Sequence, residues 1–103
     1  MGSGAEKILV HIDKDLAEIV PGYIQNRWRD VEAMRLAVEN HDLESLRVMG
    51  HRMKGSGAGY GFDAITEIGR RVESCAREEQ IGEINHEIEA LVEYLQRIDV
   101  QYE

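Results

Sequence analysis

Cysteine occurs once in this 103-residue chain, at Cys75, so no intramolecular disulfide can form and no cysteine-based zinc site can be assembled. That usage fits a reducing compartment. Proline also occurs once, at Pro21, and the glycines are concentrated in one stretch, which predicts helices with few interruptions. No run of about 20 apolar residues is present, so no membrane span is expected. The N-terminus lacks a basic segment followed by an apolar h-region, so no secretory signal is read. Basic residues are in deficit, with twelve Lys and Arg against twenty Asp and Glu and a net charge of −8. Such a field repels a phosphate polyanion at long range, which argues against nucleic acid as a partner. The composition is compatible with a soluble signalling or binding module, expected to be cytoplasmic, without a membrane or nucleic-acid partner, and monomeric by default.

The length suits one domain, able to bury roughly 60–70% of the surface its unfolded chain exposes. Residues 1–8, opening Met1-Gly2-Ser3-Gly4, read as a flexible leader or an expression scar, and 9–103 as the single domain. Asp13 or Asp15 can cap a short first helix ending near Val20, after which Pro21 fits the first position of the next helix. Ile24, Trp28, Val31, Met34 and Val38 then recur at three- and four-residue steps, an amphipathic helix to about Glu39. Asn40-His41-Asp42 is a turn, with Asp42 the N-cap of a helix whose inward stripe is Leu43, Leu46, Gly50, Met53 and Gly57. Phe62, Ile65, Ile68, Val72 and Cys75 mark a third helix. Ile81, Ile84, Ile88, Leu91, Leu95, Ile98 and Tyr102 step as a heptad-like seam along a fourth. No convincing strand is found. The pattern predicts an all-α fold, an antiparallel up-down-up-down four-helix bundle with a short extra N-terminal helix across one end.

The segment from His51 to Gly61 carries the most chemistry. With the inward stripe fixed, Glu44, Val48, His51, Gly55 and Ala58 fall on the far side of the helix, so the His51 ring points to solvent. Gly55 and Ala58 leave the surface beside it bare. Glycine within a helix costs about 1 kcal/mol relative to alanine, a cost accepted where something approaches the backbone. At the outward Gly55 and Ala58 that is a docking partner, and at the inward Gly50 and Gly57 it is close helix packing. A neutral histidine can attack phosphorus, and Lys54, one turn on, can then offset charge on the phosphoryl oxygens, with Ser56 or backbone N–H groups assisting.

Blander readings apply elsewhere. A surface histidine beside a lysine is common, and a glycine run alone is more often a helix end and turn. The P-loop spacing fails because Lys54 precedes the glycines, and a dinucleotide pattern would need glycine where Tyr60 or Phe62 stands. His11, His41 and His86 have no partners at metal-ligand spacing and read as surface or turn residues. Glu73, Glu78 and Glu79 read as a solvated face, Trp28, Tyr60 and Phe62 as core, and Cys75 as a small buried apolar residue.

His51-x-x-Lys54-Gly55-Ser56 followed by Gly61 resembles the signature of bacterial histidine-phosphotransfer domains. The similarity continues through Ile65, Ile68, Val72 and Glu73, and upstream through Asp42, Leu43, Leu46 and Gly50, about 60 residues in all. Two departures are visible, Gly57 where a second serine is frequent and Gly69 where a cysteine often sits. The resemblance implies that His51 receives a phosphoryl group from a response-regulator receiver aspartate, or from a sensor or hybrid histidine kinase, and passes it on. It implies docking through Val48, Gly55, Ser56 and Ala58 with Arg47 and Arg52 at the rim, and no cofactor on this chain, the Mg²⁺ belonging to the receiver.

With no ATP-binding segment, the chain reads as a phosphoryl carrier and not as an independent enzyme. Two other readings stay open. One is a non-catalytic helical adaptor, a pseudo-phosphotransfer domain using the same face without accepting phosphate. The other is the input domain of a chemotaxis-type kinase, phosphorylated in trans by an ATP-bound kinase domain.

Overall fold

The computed structural model describes residues 6–103. Four helices dominate it: α1 (Val20–Glu39), α2 (Leu43–Ser56), α3 (Asp63–Arg77) and α4 (Ile81–Arg97). Short connections reverse the chain between them, and α1 packs against both α2 and α4 while α3 closes the ring between those two. This is the expected bundle. Its core is one cluster reaching from Ile12 to Leu95, with Met34, Leu46, Met53, Phe62, Ile65, Val72, Ile84, Ile88 and Leu91 fully enclosed.

The helix ends are where the turn residues place them. Asp42 caps α2, its carboxylate accepting from Ser45 N–H at 3.1 Å and from Ser45 Oγ at 2.6 Å. His41 and Glu79 take positive φ, 53° and 59°, in the turns that follow α1 and α3. Gln80 N then reaches back to Cys75 O at 2.8 Å. Pro21 stands at the second position of α1, behind Val20, where an N–H is still not required.

Both ends of the described chain differ from the expectation. Ile8–Ile12 forms a strand, β1, and Ile98–Tyr102 a second, β2. They pair in parallel with Ile8 opposite Ile98, Val10 opposite Val100 and Ile12 opposite Tyr102. The seam assigned to α4 therefore stops at Leu95, and Ile98 and Tyr102 belong to β2. A four-residue step is even, so Ile98 and Tyr102 satisfy strand alternation as well as a helical repeat. Ile98-Asp99-Val100-Gln101-Tyr102 does alternate, with β-branched residues favouring the extended form. The partner that decides the matter lies about ninety residues away in sequence. Of the stretch set aside as a leader, residues 1–5 lie outside the described residues, and Ile8 already belongs to β1. The short first helix contracts to one 3-10 turn, Lys14–Leu16, capped by Asp13 through a 2.8 Å bond from Asp15 N–H.

Gly50 and Gly69 mark a close approach of α2 to α3. A Cβ on Gly50 would lie 2.6 Å from Glu73 N and 2.8 Å from Gly69 O. One on Gly69 would lie 2.7 Å from Gly50 O and equally near Met53 Cβ. The backbones of α2 and α3 thus meet with no side chain between them. That contact brings residue 73, one turn beyond Gly69, beneath the outward face of α2.

Candidate functional site

His51 sits in the third turn of α2 with its side chain 63% exposed. Its Nδ1 lies 3.0 Å from Oε2 of Glu73 on α3. A carboxylate only accepts hydrogen bonds, so Nδ1 carries the proton, and in the neutral ring Nε2 keeps the lone pair. Lys54 Nζ donates to Oε1 of the same carboxylate at 2.8 Å, and Arg77 Nη2 donates to Oε2 at 3.0 Å. The Glu73 side chain is only 3% exposed, so these three donors stand in for water. Led by the hydrogen bond from Lys54 and aided by that from His51, they hold its carboxyl below the usual range against the opposing effect of burial.

Glu73 is the residue that sequence reasoning misplaced. Grouped with Glu78 and Glu79 as a solvated face, it is instead buried, while those two are exposed. The signal was its register. With Ile65, Ile68, Gly69, Val72 and Ala76 inward, residue 73 falls on the same stripe, four after the glycine that lets α2 come close.

The other expected residues are distributed around His51. Gly55 has nothing within 4 Å of where a Cβ would stand, so the surface beside the imidazole is open. Ala58 is exposed one turn further on, its N–H bound by Thr66 Oγ1 at 2.7 Å. Val48 and Arg52 line a groove of about 460 Å³ between α1 and α2, together with Ala33, Leu36, Ala37 and Met49. Arg47 is engaged by Glu44 through paired bonds of 3.0 and 2.7 Å. The Ser56 hydroxyl shares a hydrogen bond with Tyr23 Oη at 2.9 Å, a tie between α1 and α2.

Tyr23 was not singled out by sequence. It stacks on Tyr60 with ring centroids 4.2 Å apart and carries the Arg27 guanidinium 4.3 Å from its own centroid. Phe62 is fully buried, Tyr60 partly so, and Trp28 is an exposed exception to the core reading. Cys75 is half-buried, with its thiol pushed up by burial and then by Glu87, Glu83 and Glu78, which makes it a poor nucleophile. His11 and His86 lie on the surface and His41 in a turn, as expected. Among the described residues no group of three or more His, Cys, Asp or Glu side chains is placed to hold a metal ion, and no helix is long and apolar enough to cross a membrane.

The arrangement is an exposed imidazole with one ring nitrogen tied to a buried carboxylate, beside two cations and a bare helix face. A family model described as Hpt domain matches residues 23–101. Comparison with curated proteins and with solved structures gives no match.

Proposed function

The chain belongs to the Hpt domain family, and from that premise we propose that His51 is the phosphoryl carrier of a two-component phosphorelay. The family gives it a phosphotransfer-type signalling role. The observation that carries the finer reading is the Nδ1 contact to buried Glu73 on a ring whose other nitrogen faces solvent.

In this reading Nε2 attacks the phosphorus of an aspartyl phosphate in line with the leaving carboxylate. The P–N bond forms as the P–O bond to the aspartate breaks, and the released carboxylate stays with the receiver. No proton has to leave Nε2, because that nitrogen bears none. The ring becomes an imidazolium whose charge faces Glu73, the role a buried carboxylate plays behind any histidine that gains charge in a transition state. Lys54 offsets charge on the phosphoryl oxygens, since phosphoryl transfer asks the protein chiefly for positioning and electrostatics. Gly55 and Ala58 give the receiver access, with Val48, Arg47 and Arg52 around them. The Mg²⁺ is assigned to the receiver. The 9–103 unit works as one cytoplasmic, monomeric phosphoryl carrier with no turnover of its own, supplied by a receiver or by a sensor or hybrid histidine kinase.

The test offers two donors separately, a phosphorylated receiver domain and a histidine-kinase domain with ATP, to the wild type and to His51→Gln. The wild type is expected to take label in an acid-labile, base-stable bond, and the variant none. Labelling only by the ATP-bound kinase domain selects the chemotaxis-type input reading. Absence of label from every donor replaces the carrier with the adaptor.

A further inference from the structure

Three donors converge on one buried carboxylate, and one of them comes from outside the helix that bears His51. Lys54 holds Glu73 Oε1, whereas His51 Nδ1 and Arg77 Nη2 share Oε2. Arg77 lies one turn beyond Glu73 at the end of α3, its side chain 61% exposed. A phosphoryl group on Nε2 sets up a conflict in this cluster. Lys54, one turn from His51 on the same helix, becomes the counter-ion wanted by two anions. If it leaves Glu73 for the phosphoryl oxygens, Oε1 of a carboxylate with 3% exposure loses its donor, and Arg77 on Oε2 becomes the cation that remains on Glu73 beside the His51 N–H. Removing one partner of a buried charge pair is strongly destabilising, because the remaining charge is left uncompensated.

We propose that Arg77 is a positioning residue for the phosphorylated state, holding the charge of Glu73 so that Lys54 can move from that carboxylate to the phosphoryl group on His51. This rests on His51 being the carrier. The formal charges agree with it. Before transfer, Glu73, Lys54 and Arg77 present one excess positive charge beside a neutral ring. After transfer, an imidazolium and a dianionic phosphoryl group have joined them and the cluster is neutral. Without Arg77 the same product state carries an excess negative charge, with one ammonium divided between two anions. The position suits a guanidinium, which is always charged and presents a fixed fork of donors, and the C-terminal end of a helix favours a cation. The nearby Arg47 is already committed to Glu44.

The experiment phosphorylates the full chain chemically with phosphoramidate, so that no partner protein is needed, and compares wild type, Arg77→Met and Arg77→Lys. The readouts are the ¹⁵N resonance of Lys54 Nζ before and after phosphorylation and the hydrolysis rate of the phosphohistidine. In the wild type the Lys54 signal is expected to move on phosphorylation while the Arg77 side-chain signal stays. Arg77→Met is expected to keep Lys54 on Glu73 and to hydrolyse several-fold faster, and Arg77→Lys to recover most of the lifetime. A Lys54 signal unmoved in the wild type overturns the proposal, as does an Arg77→Met phosphohistidine as long-lived as the wild type. Failure of the carrier reading is separate: it appears as loss of labelling from receiver and kinase, which this chemical donor does not require.

Discussion

At the scale of single residues, Glu73 links stability to the site. Its folded pKa lies below the unfolded value, chiefly through the Lys54 hydrogen bond. The unfolded chain therefore binds the proton first as pH falls. The stabilisation is present above the ordinary carboxylate range, about 4.3, and is lost as pH drops through the lowered folded value. Glu73→Gln should thus be less stable than wild type at pH 7, with the gap closing in acid. Urea unfolding at pH 7 and pH 3 measures this, and a gap independent of pH would refute it. His51 and Lys54 were legible because their spacing and outward register follow from the α2 stripe alone. Glu73 was not, since a carboxylate is ordinarily solvated and the donors that compensate its burial arrive from 22, 19 and four residues away. A second residue-scale expectation concerns Glu79, held at φ 59°. An L-residue in the left-handed region costs about 1–2 kcal/mol per residue, partly cancelled by glycine's larger unfolded entropy, so Glu79→Gly should stabilise by about 0.5 kcal/mol. Thermal unfolding reads it directly.

At the scale of elements, two glycines on α2 do opposite things. Gly50 meets Gly69 with backbone against backbone, whereas Gly55 faces open space. Gly69→Ala forces α2 and α3 apart and should cost about 1–3 kcal/mol by overpacking. Because it also shifts Glu73 under His51, transfer should fall in molecules that remain folded. Gly55→Ala should instead raise stability by up to about 1 kcal/mol through helix propensity while slowing transfer from a receiver. Denaturant unfolding paired with a transfer assay separates the two, and equal effects on stability would contradict the assignment. The inward and outward roles of these glycines could be read from the sequence because they follow from the stripe. The helix start at Asp42 was readable as local capping chemistry, an Asx side chain ahead of an apolar-periodic run. The β1–β2 pair was not, because each strand needs the other end of the chain and Ile98 and Tyr102 fit both periodicities.

Over the whole molecule, charge is unevenly placed. From Leu43 to Arg77, the α2–α3 half that carries the site, there are six Lys and Arg against four Asp and Glu, in a chain with a net charge of −8. The rest is therefore strongly acidic. An aspartyl phosphate approaching the His51 face meets the basic side, while the acidic remainder disfavours the wrong orientation. Transfer from a phosphorylated receiver at sub-saturating concentration should slow as salt rises, mainly through association, and Arg52→Gln should flatten that dependence. Stopped-flow transfer rates across a salt series measure both, and a rate indifferent to salt would remove the steering argument. This polarity is invisible in the net charge, and emerges only when the helices that form the site are counted apart from the others.

In the proposed carrier, Glu73 fixes the Nδ1 proton of His51 and leaves Nε2 to carry the phosphoryl group. The most direct measurement is the ¹H–³¹P correlation spectrum of the phosphorylated chain. Phosphorus on Nε2 couples to both ring protons of His51, Hδ2 and Hε1, and that pair of cross-peaks is the expected result. A single cross-peak to Hε1, which reports phosphorylation at Nδ1, or phosphorus on any other residue, would contradict the account.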